Sequence, residues 1–236
     1  MRALDGWQRY TLYWTPDPGP LAGAGAAWLG WDPEAGEAVA HPAVAGLPVP
    51  LEAMTGTPRK YGLHATIKPP FALAPGTAAA GLDAAAAALC ARLAPVALPG
   101  LTVAAIGPWV VLVPEGDTAA LDAMAAAVVE GLDAFRAAPD AAEIARRNPD
   151  ALTPRLRALL DRWGYPHVME EFRFHVTLAG PLPPADVAPV QAVAAARFAP
   201  LLPQPFAVTG LTLLGEGADG RFRILRRYPL GGGARP

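Results

Sequence analysis

Two tripeptides, His64-Ala65-Thr66 and His175-Val176-Thr177, constrain the fold of this 236-residue chain more than any other feature. Each is set in a run that alternates apolar and polar residues. Leu63, Ala65 and Ile67 interleave with His64, Thr66 and Lys68; Phe172, Phe174, Val176 and Leu178 interleave with Arg173, His175 and Thr177. On a β-strand, positions i and i+2 share a face, so both runs predict an apolar core face and an ionisable outer face. A one-residue slip would bury imidazole, hydroxyl and cation together, which fixes the assignment of faces.

The elements around the tripeptides repeat in order. Thr77 to Leu93 reads as an Ala/Leu-rich helix stopped by Pro95, followed by two β-branched runs, Leu101 to Ile106 and Trp109 to Val113, around Gly107-Pro108. After the second tripeptide, Pro183-Pro184 ends the strand, Ala185 to Phe198 reads as a helix, and Phe206 to Leu214 and Arg221 to Tyr228 read as strands joined by the turn Gly215–Gly220. Strand, proline stop, helix, hairpin therefore occurs twice, as in a duplicated chain with a site where the halves meet. The predicted organisation is one bilobal unit over 1–236, with lobes 1–138 and 167–230 and a helical insertion, 139–166, that includes a helix from Pro154 to Trp163. Arg9 to Thr15 reads as a strand, Leu21 to Leu29 as a short helix, and Thr118 to Ala137 as a helix capped by Asp117. Residues 33–58 read as an irregular connection ordered by packing, with His41 on its surface, and the tail from Gly231 reads as disordered.

Composition narrows the chemistry. A formal net charge of −2 argues against a broad grip on nucleic acid but leaves room for a local positive pocket. The single cysteine, Cys90, sits among alanines and reads as a buried inert thiol. The chain has no serine, which removes serine-nucleophile mechanisms, and its only lysines are Lys60 and Lys68, which flank His64. No apolar run reaches membrane-spanning length and no leader pattern opens the chain, so the reading is a cytoplasmic protein with no membrane partner; its oligomeric state is left open. His, Asp, Glu and Cys show no ligand spacing, so neither a metal nor a cofactor is expected, and Glu170-Glu171 reads as a solvated pair. His167, in a loop eight residues before His175, is within reach of the cleft but reads as a surface or capping residue. Gly215 to Gly220 reads as a turn rather than a phosphate-binding loop.

Two such strands facing one cleft would bring two imidazoles and two hydroxyls around a small anion. One neutral imidazole takes a proton while a protonated one gives a proton, and the threonine hydroxyls, helped by Lys68 and Arg173, hold the oxygens that gain charge. That equipment suits cleavage of a phosphate ester. Which histidine is acid and which is base is not legible. The ordinary alternative is two solvated histidines on outer strand faces.

Both motifs, with Arg59-Lys60-Tyr61-Gly62 before the first and Phe172-Arg173-Phe174 before the second, resemble the 2H phosphoesterase superfamily, defined by two His-x-Thr/Ser motifs. The surroundings are similar to its branch of phosphonate-metabolism proteins, encoded beside carbon–phosphorus lyase genes. The resemblance implies an α+β duplicated bilobal fold, two antiparallel sheets facing a central cleft with helices outside. It also implies that His64, Thr66, His175 and Thr177 are catalytic. Tyr61, Lys68 and Arg173 lie outside the defining motif and are substrate-binding candidates by position. The expected activity is a metal-independent cyclic phosphodiesterase acting on a ribose-type or nucleotide cyclic phosphate, a small-molecule phosphate ester. Two rival readings stay open: a phosphodiesterase of RNA 2′,3′-cyclic ends or oligonucleotides, with the arginines between Arg146 and Arg162 as a basic path, and a non-catalytic nucleotide-binding sensor.

Overall fold

A computed structural model describes residues 2–231, so all of the expected disordered tail except Gly231 lies outside the described residues. In chain order the elements are β1 (Tyr10–Trp14), α1 (Pro20–Leu29), β2 (Trp31–Asp32), β3 (Glu37–Ala38), α2 (Leu51–Met54), α3 (Gly56–Arg59) and β4 (Ala65–Phe71). There follow α4 (Ala79–Cys90), β5 (Val96–Leu98), β6 (Leu101–Ile106), β7 (Trp109–Pro114), α5 (Ala119–Gly131), α6 (Ala141–Ala145) and α7 (Pro154–Trp163). The last are β8 (Val176–Ala179), α8 (Pro184–Phe198), β9 (Phe206–Val208), β10 (Gly210–Glu216) and β11 (Phe222–Pro229).

Seven strands form one antiparallel sheet in the order β11-β10-β1-β4-β8-β7-β6, with two-stranded pairs β2-β3 and β5-β9 beside it. The α+β class holds. The sheet, however, is continuous where two opposed sheets were expected: the motif strands β4 and β8 are direct neighbours, joined through the pair Ala65–Val176. Both residues are fully buried. Pairing also removes two strand edges that would otherwise leave backbone N–H and C=O groups unmatched. Sheet neighbours cross between the expected lobes 1–138 and 167–230. The β6-β7 hairpin of the first half lies against β8, and the β10-β11 hairpin of the second half lies against β1.

One face of the sheet is covered by helices. Trp14, Ala65, Val176 and Leu112 from four adjacent strands share a buried cluster with Leu82 and Ala86 of α4, Leu121 and Val128 of α5, and Val190 and Phe198 of α8. Trp28 of α1 pins this layer, donating from its indole to the Leu178 carbonyl (2.9 Å) and packing edge-on against Phe198. Truncating a side chain of that size to alanine costs about 3–5 kcal/mol. The opposite face carries the polar motif residues.

Several sequence expectations shift at boundaries. The helix expected to reach Ala137 ends at Gly131, because residues 135–137 turn back and pair with 72–74: Ala137 N–H donates to Ala72 (2.8 Å), and the Phe135 carbonyl accepts from Ala74 (2.9 Å). Asp117 caps from one residue further out, accepting from the Ala119 N–H. The strand expected over Phe206 to Leu214 divides at Thr209, its first part pairing with β5 and its second with β1. Residues 33–58 are ordered by packing, with Arg59 donating to the carbonyls of Leu29 and Glu52. His41 is half-buried against the Trp28 carbonyl rather than free on the surface. In the insertion, α7 spans Pro154–Trp163, with the Thr153 hydroxyl capping Leu156 N–H and Gly164 closing it in a left-handed conformation.

Candidate active site

The Ala65–Val176 pair centres a local two-fold relation. Carrying that antiparallel register one residue outward sets His64 across from Thr177 and Thr66 across from His175. Neighbouring pairs agree: Thr66 lies opposite Tyr13 on β1, and Thr177 opposite Val111 on β7. Each histidine thus has the other motif's threonine as its cross-strand partner on the uncovered face. The two imidazoles lie on a diagonal of the seam, a separation of about 7–8 Å between backbones.

The matched orientation of the rings is the most telling detail. His64 Nδ1 donates to the Gly62 carbonyl (2.9 Å), and His175 Nδ1 donates to the Arg173 carbonyl (2.8 Å). A carbonyl oxygen only accepts, so Nδ1 carries hydrogen in both rings and Nε2 is the nitrogen left to exchange a proton. Each bond runs from residue i to the carbonyl of i−2, the same local device twice. At Gly62 the backbone has φ +76°, and a Cβ there would fall 2.6 Å from Pro33, so only glycine presents this carbonyl without strain.

The surroundings of the two rings differ. His64 is half-buried, its ring 4.1 Å from that of Tyr13 and 5.1 Å from that of Tyr61. Burial pushes its pKa down to about 4; the Gly62 carbonyl opposes this shift and the charge of His175 adds to it. His64 is therefore neutral at pH 7. His175 is exposed and lines a cavity of about 440 Å³; His64 is not among the residues that line it.

Thr66, Thr177, His175, Arg173 and Tyr61 all line that cavity, together with Trp109, Tyr165, His167 and Glu171. Tyr61 stacks on Phe222 (4.9 Å), and burial raises its pKa. Arg173 is exposed, its Nη1 donating to the carbonyls of Glu170 and Phe172.

Lys68 is not in the cavity. The β1–β4 register slips by one residue between the pairs Tyr13–Thr66 and Leu12–Lys68, and this bulge turns Lys68 to the helix-covered side with Leu12. There it is 2% exposed, donates to the Val129 carbonyl of α5 (3.0 Å) and lies 3.6 Å from Asp133. Burial lowers its pKa to about 8 despite Asp133. His167, expected on the surface or at a cap, is exposed on the cavity wall, brought there because the chain descends from the insertion along the site. Tyr13 was missed as a site residue. Its strand was legible, but only the pairing of β1 with β4 shows that it lies beneath His64. Among the described residues no group of three or more His, Cys, Asp or Glu is placed to hold a metal ion, and no helix is long and apolar enough to cross a membrane.

Fold and site together define an antiparallel-sheet protein with paired His-x-Thr strands at a central seam. The chain belongs to the family DUF1045, described as a protein of unknown function, which matches residues 66–223 and so takes in Thr66, His175 and Thr177. It is 35% identical over 231 residues to a protein of Janthinobacterium sp. (strain Marseille) named ribose 1,5-bisphosphate phosphokinase PhnN, covering 95% of this chain and 51% of that one. A protein of the same name from Laribacter hongkongensis (strain HLHK9) is 35% identical over 220 residues, covering 92% and 51%. The chain thus spans about half the length of these curated relatives. Among solved structures, E. coli LigT complexed with 3′-AMP aligns over 96% of this chain and 99% of its own, at 18% identity and a TM-score of 0.44. A crystal structure named only as a phosphoesterase gives the same coverage and identity with a TM-score of 0.42.

Proposed function

We propose that this protein is a phosphoesterase that opens a cyclic phosphate of a ribose-type metabolite by histidine acid–base catalysis. The observation that carries the reading is the matched pair of Nδ1–carbonyl bonds on strands related by the Ala65–Val176 register. It leaves Nε2 as the proton-exchanging nitrogen of each ring, and the register sets each histidine across from the other motif's threonine. In this scheme neutral His64 accepts a proton from water as its oxygen bonds to phosphorus. Protonated His175 donates to the alkoxide as its bond to phosphorus breaks. Thr66 and Thr177 hydroxyls donate to the non-bridging oxygens. All steps use protein side chains and water.

The relatives' name supports the sugar class. Water opening a 1,2-cyclic phosphate of ribose 5-phosphate, with loss of the O2–phosphorus bond, yields ribose 1,5-bisphosphate. A chain that both resembles this one and bears a ribose 1,5-bisphosphate phosphokinase name would hold producer and consumer in one polypeptide. The similarity to phosphonate-metabolism proteins agrees with such a step in phosphonate breakdown. The RNA reading fares less well, since three of the five arginines between Arg146 and Arg162 are engaged by carboxylates: Arg155 by Glu170, Arg157 by Asp161 and Arg162 by Asp133. The test is a panel of ribose and nucleoside cyclic phosphates followed by phosphorus NMR, with and without chelator. Turnover of a ribose cyclic phosphate, unchanged by chelator, is expected. Binding without turnover across the panel would favour the sensor reading and overturn this one.

A further inference from the structure

The cavity has an end that acid–base chemistry at the seam does not use. Its volume of about 440 Å³ lies within the range of about 300–1,000 Å³ for small-molecule sites and leaves room beyond a five-membered cyclic phosphate. That end is built by residues 165–173, which place Tyr165, His167, Glu171 and Arg173 on the wall. The His167 ring stands edge-on to Tyr165 at 5.9 Å. From the insertion, Arg147 lays its guanidinium over the same tyrosine, 4.6 Å from the ring centre. Arg147 Nε is buried and has no hydrogen-bond partner among the described residues. Arg147 is close enough to act electrostatically on both His167 and Tyr61, as Glu171 and His175 act on His167.

His167 and Arg173 therefore share the wall with Glu171, and Arg147 adjoins it through its stack on Tyr165. Arg147 and Arg173 are permanently cationic, and His167 becomes so when an anion favours its charged form. A buried guanidinium N–H without an acceptor costs free energy, which marks Arg147 as a donor not used by the fold. We propose that His167, with Arg147 and Arg173, binds a second anionic group of the substrate, a phosphate monoester on the part of the molecule that does not react. The proposal rests on the phosphoesterase reading for what happens at the other end of the cavity. His167 is on this account a specificity-determining residue outside both His-x-Thr motifs.

The experiment compares two ribose cyclic phosphates that differ only in a 5-phosphate, using the full chain and its His167→Gln variant. Wild type is expected to prefer the 5-phosphorylated substrate by about a hundredfold or more in kcat/KM. His167→Gln is expected to lose at least tenfold of that preference through KM, its loss on the 5-phosphorylated substrate exceeding its loss on the unphosphorylated one. Equal losses on both substrates, or no preference in wild type, overturn the proposal. Arg147→Gln provides the same comparison if His167→Gln does not fold. A second readout does not depend on turnover: ribose 5-phosphate is titrated while the His167 Cε1–H resonance is followed. A saturable shift that Arg147→Gln weakens supports the anion site, and an unmoved resonance overturns it. If neither cyclic phosphate is turned over but ribose 5-phosphate still shifts His167, the phosphoesterase reading fails and the anion site stands.

Discussion

Acidification tests the buried state of His64. Its pKa in the folded protein is about 4, against an ordinary value of 6.5, because burial between Tyr13 and Tyr61 disfavours the imidazolium. The folded pKa lies below the unfolded one, so between pH 6.5 and 4 the unfolded chain binds a proton that the folded chain does not. Stability attributable to this residue is therefore intact above pH 6.5 and falls as pH drops toward 4. At about 1.4 kcal/mol per pH unit the full penalty is roughly 3 kcal/mol, and about 2.5 kcal/mol of it has appeared by pH 4.5. Other carboxylates and histidines also respond to acid, so the measurement is a difference. Urea unfolding of wild type and His64→Gln is compared at pH 7 and pH 4.5. The variant is expected to lose about 2 kcal/mol less on acidification than wild type, and the His64 Cε1–H resonance of wild type to stay in its neutral position down to pH 5. Equal losses in the two proteins, with His64 titrating near pH 6.5, would refute the argument that burial keeps this ring neutral as a base.

Lys68→Met is expected to keep activity per folded molecule within about twofold while changing stability, since Lys68 faces Val129 and Asp133 rather than the cavity; a hundredfold loss of turnover with an unchanged melting temperature would return Lys68 to the site. The same variant is expected to lack the rise in stability that wild type gains from pH 8 toward 10.5, the window in which the unfolded lysine holds a proton and the buried one has lost it. Gly62→Ala is expected to be destabilised by about 1–3 kcal/mol from its positive φ and the clash with Pro33, and to lose activity as the carbonyl that orients His64 moves; urea unfolding and turnover check the two effects separately. Thr66→Val and Thr177→Val are each expected to lower kcat by about a hundredfold with little change in stability, as for loss of one oxyanion donor, measured by steady-state kinetics.

Alternation along Leu63 to Ile67 and Phe172 to Leu178 was enough to assign faces, because a half-covered strand has a period of two and each sheet face has one environment. The same reasoning failed at Lys68. A bulge is a property of two strands, and nothing in Thr66-Ile67-Lys68 records that β1 skips a residue opposite it. The four motif residues were legible for the same reason the strands were, while the place of Tyr13 beneath His64 was not, because it depends on which strand neighbours β4. The duplicated order of elements was visible, but not that each hairpin packs against a strand of the other half, β7 beside β8 and β10 beside β1. Propensity also misjudged the end of α5, where an alanine-rich run yields to long-range pairing between residues 135–137 and 72–74.

The central claim is that His64 and His175 serve one phosphorus atom, and a double-mutant cycle on turnover tests it most directly. With a ribose cyclic phosphate as substrate, each of His64→Gln and His175→Gln is expected to lower kcat by about a hundred- to ten-thousandfold, and the double variant to be barely slower than the worse single. Two single variants that retain wild-type turnover, or losses that multiply fully in the double variant, would contradict it.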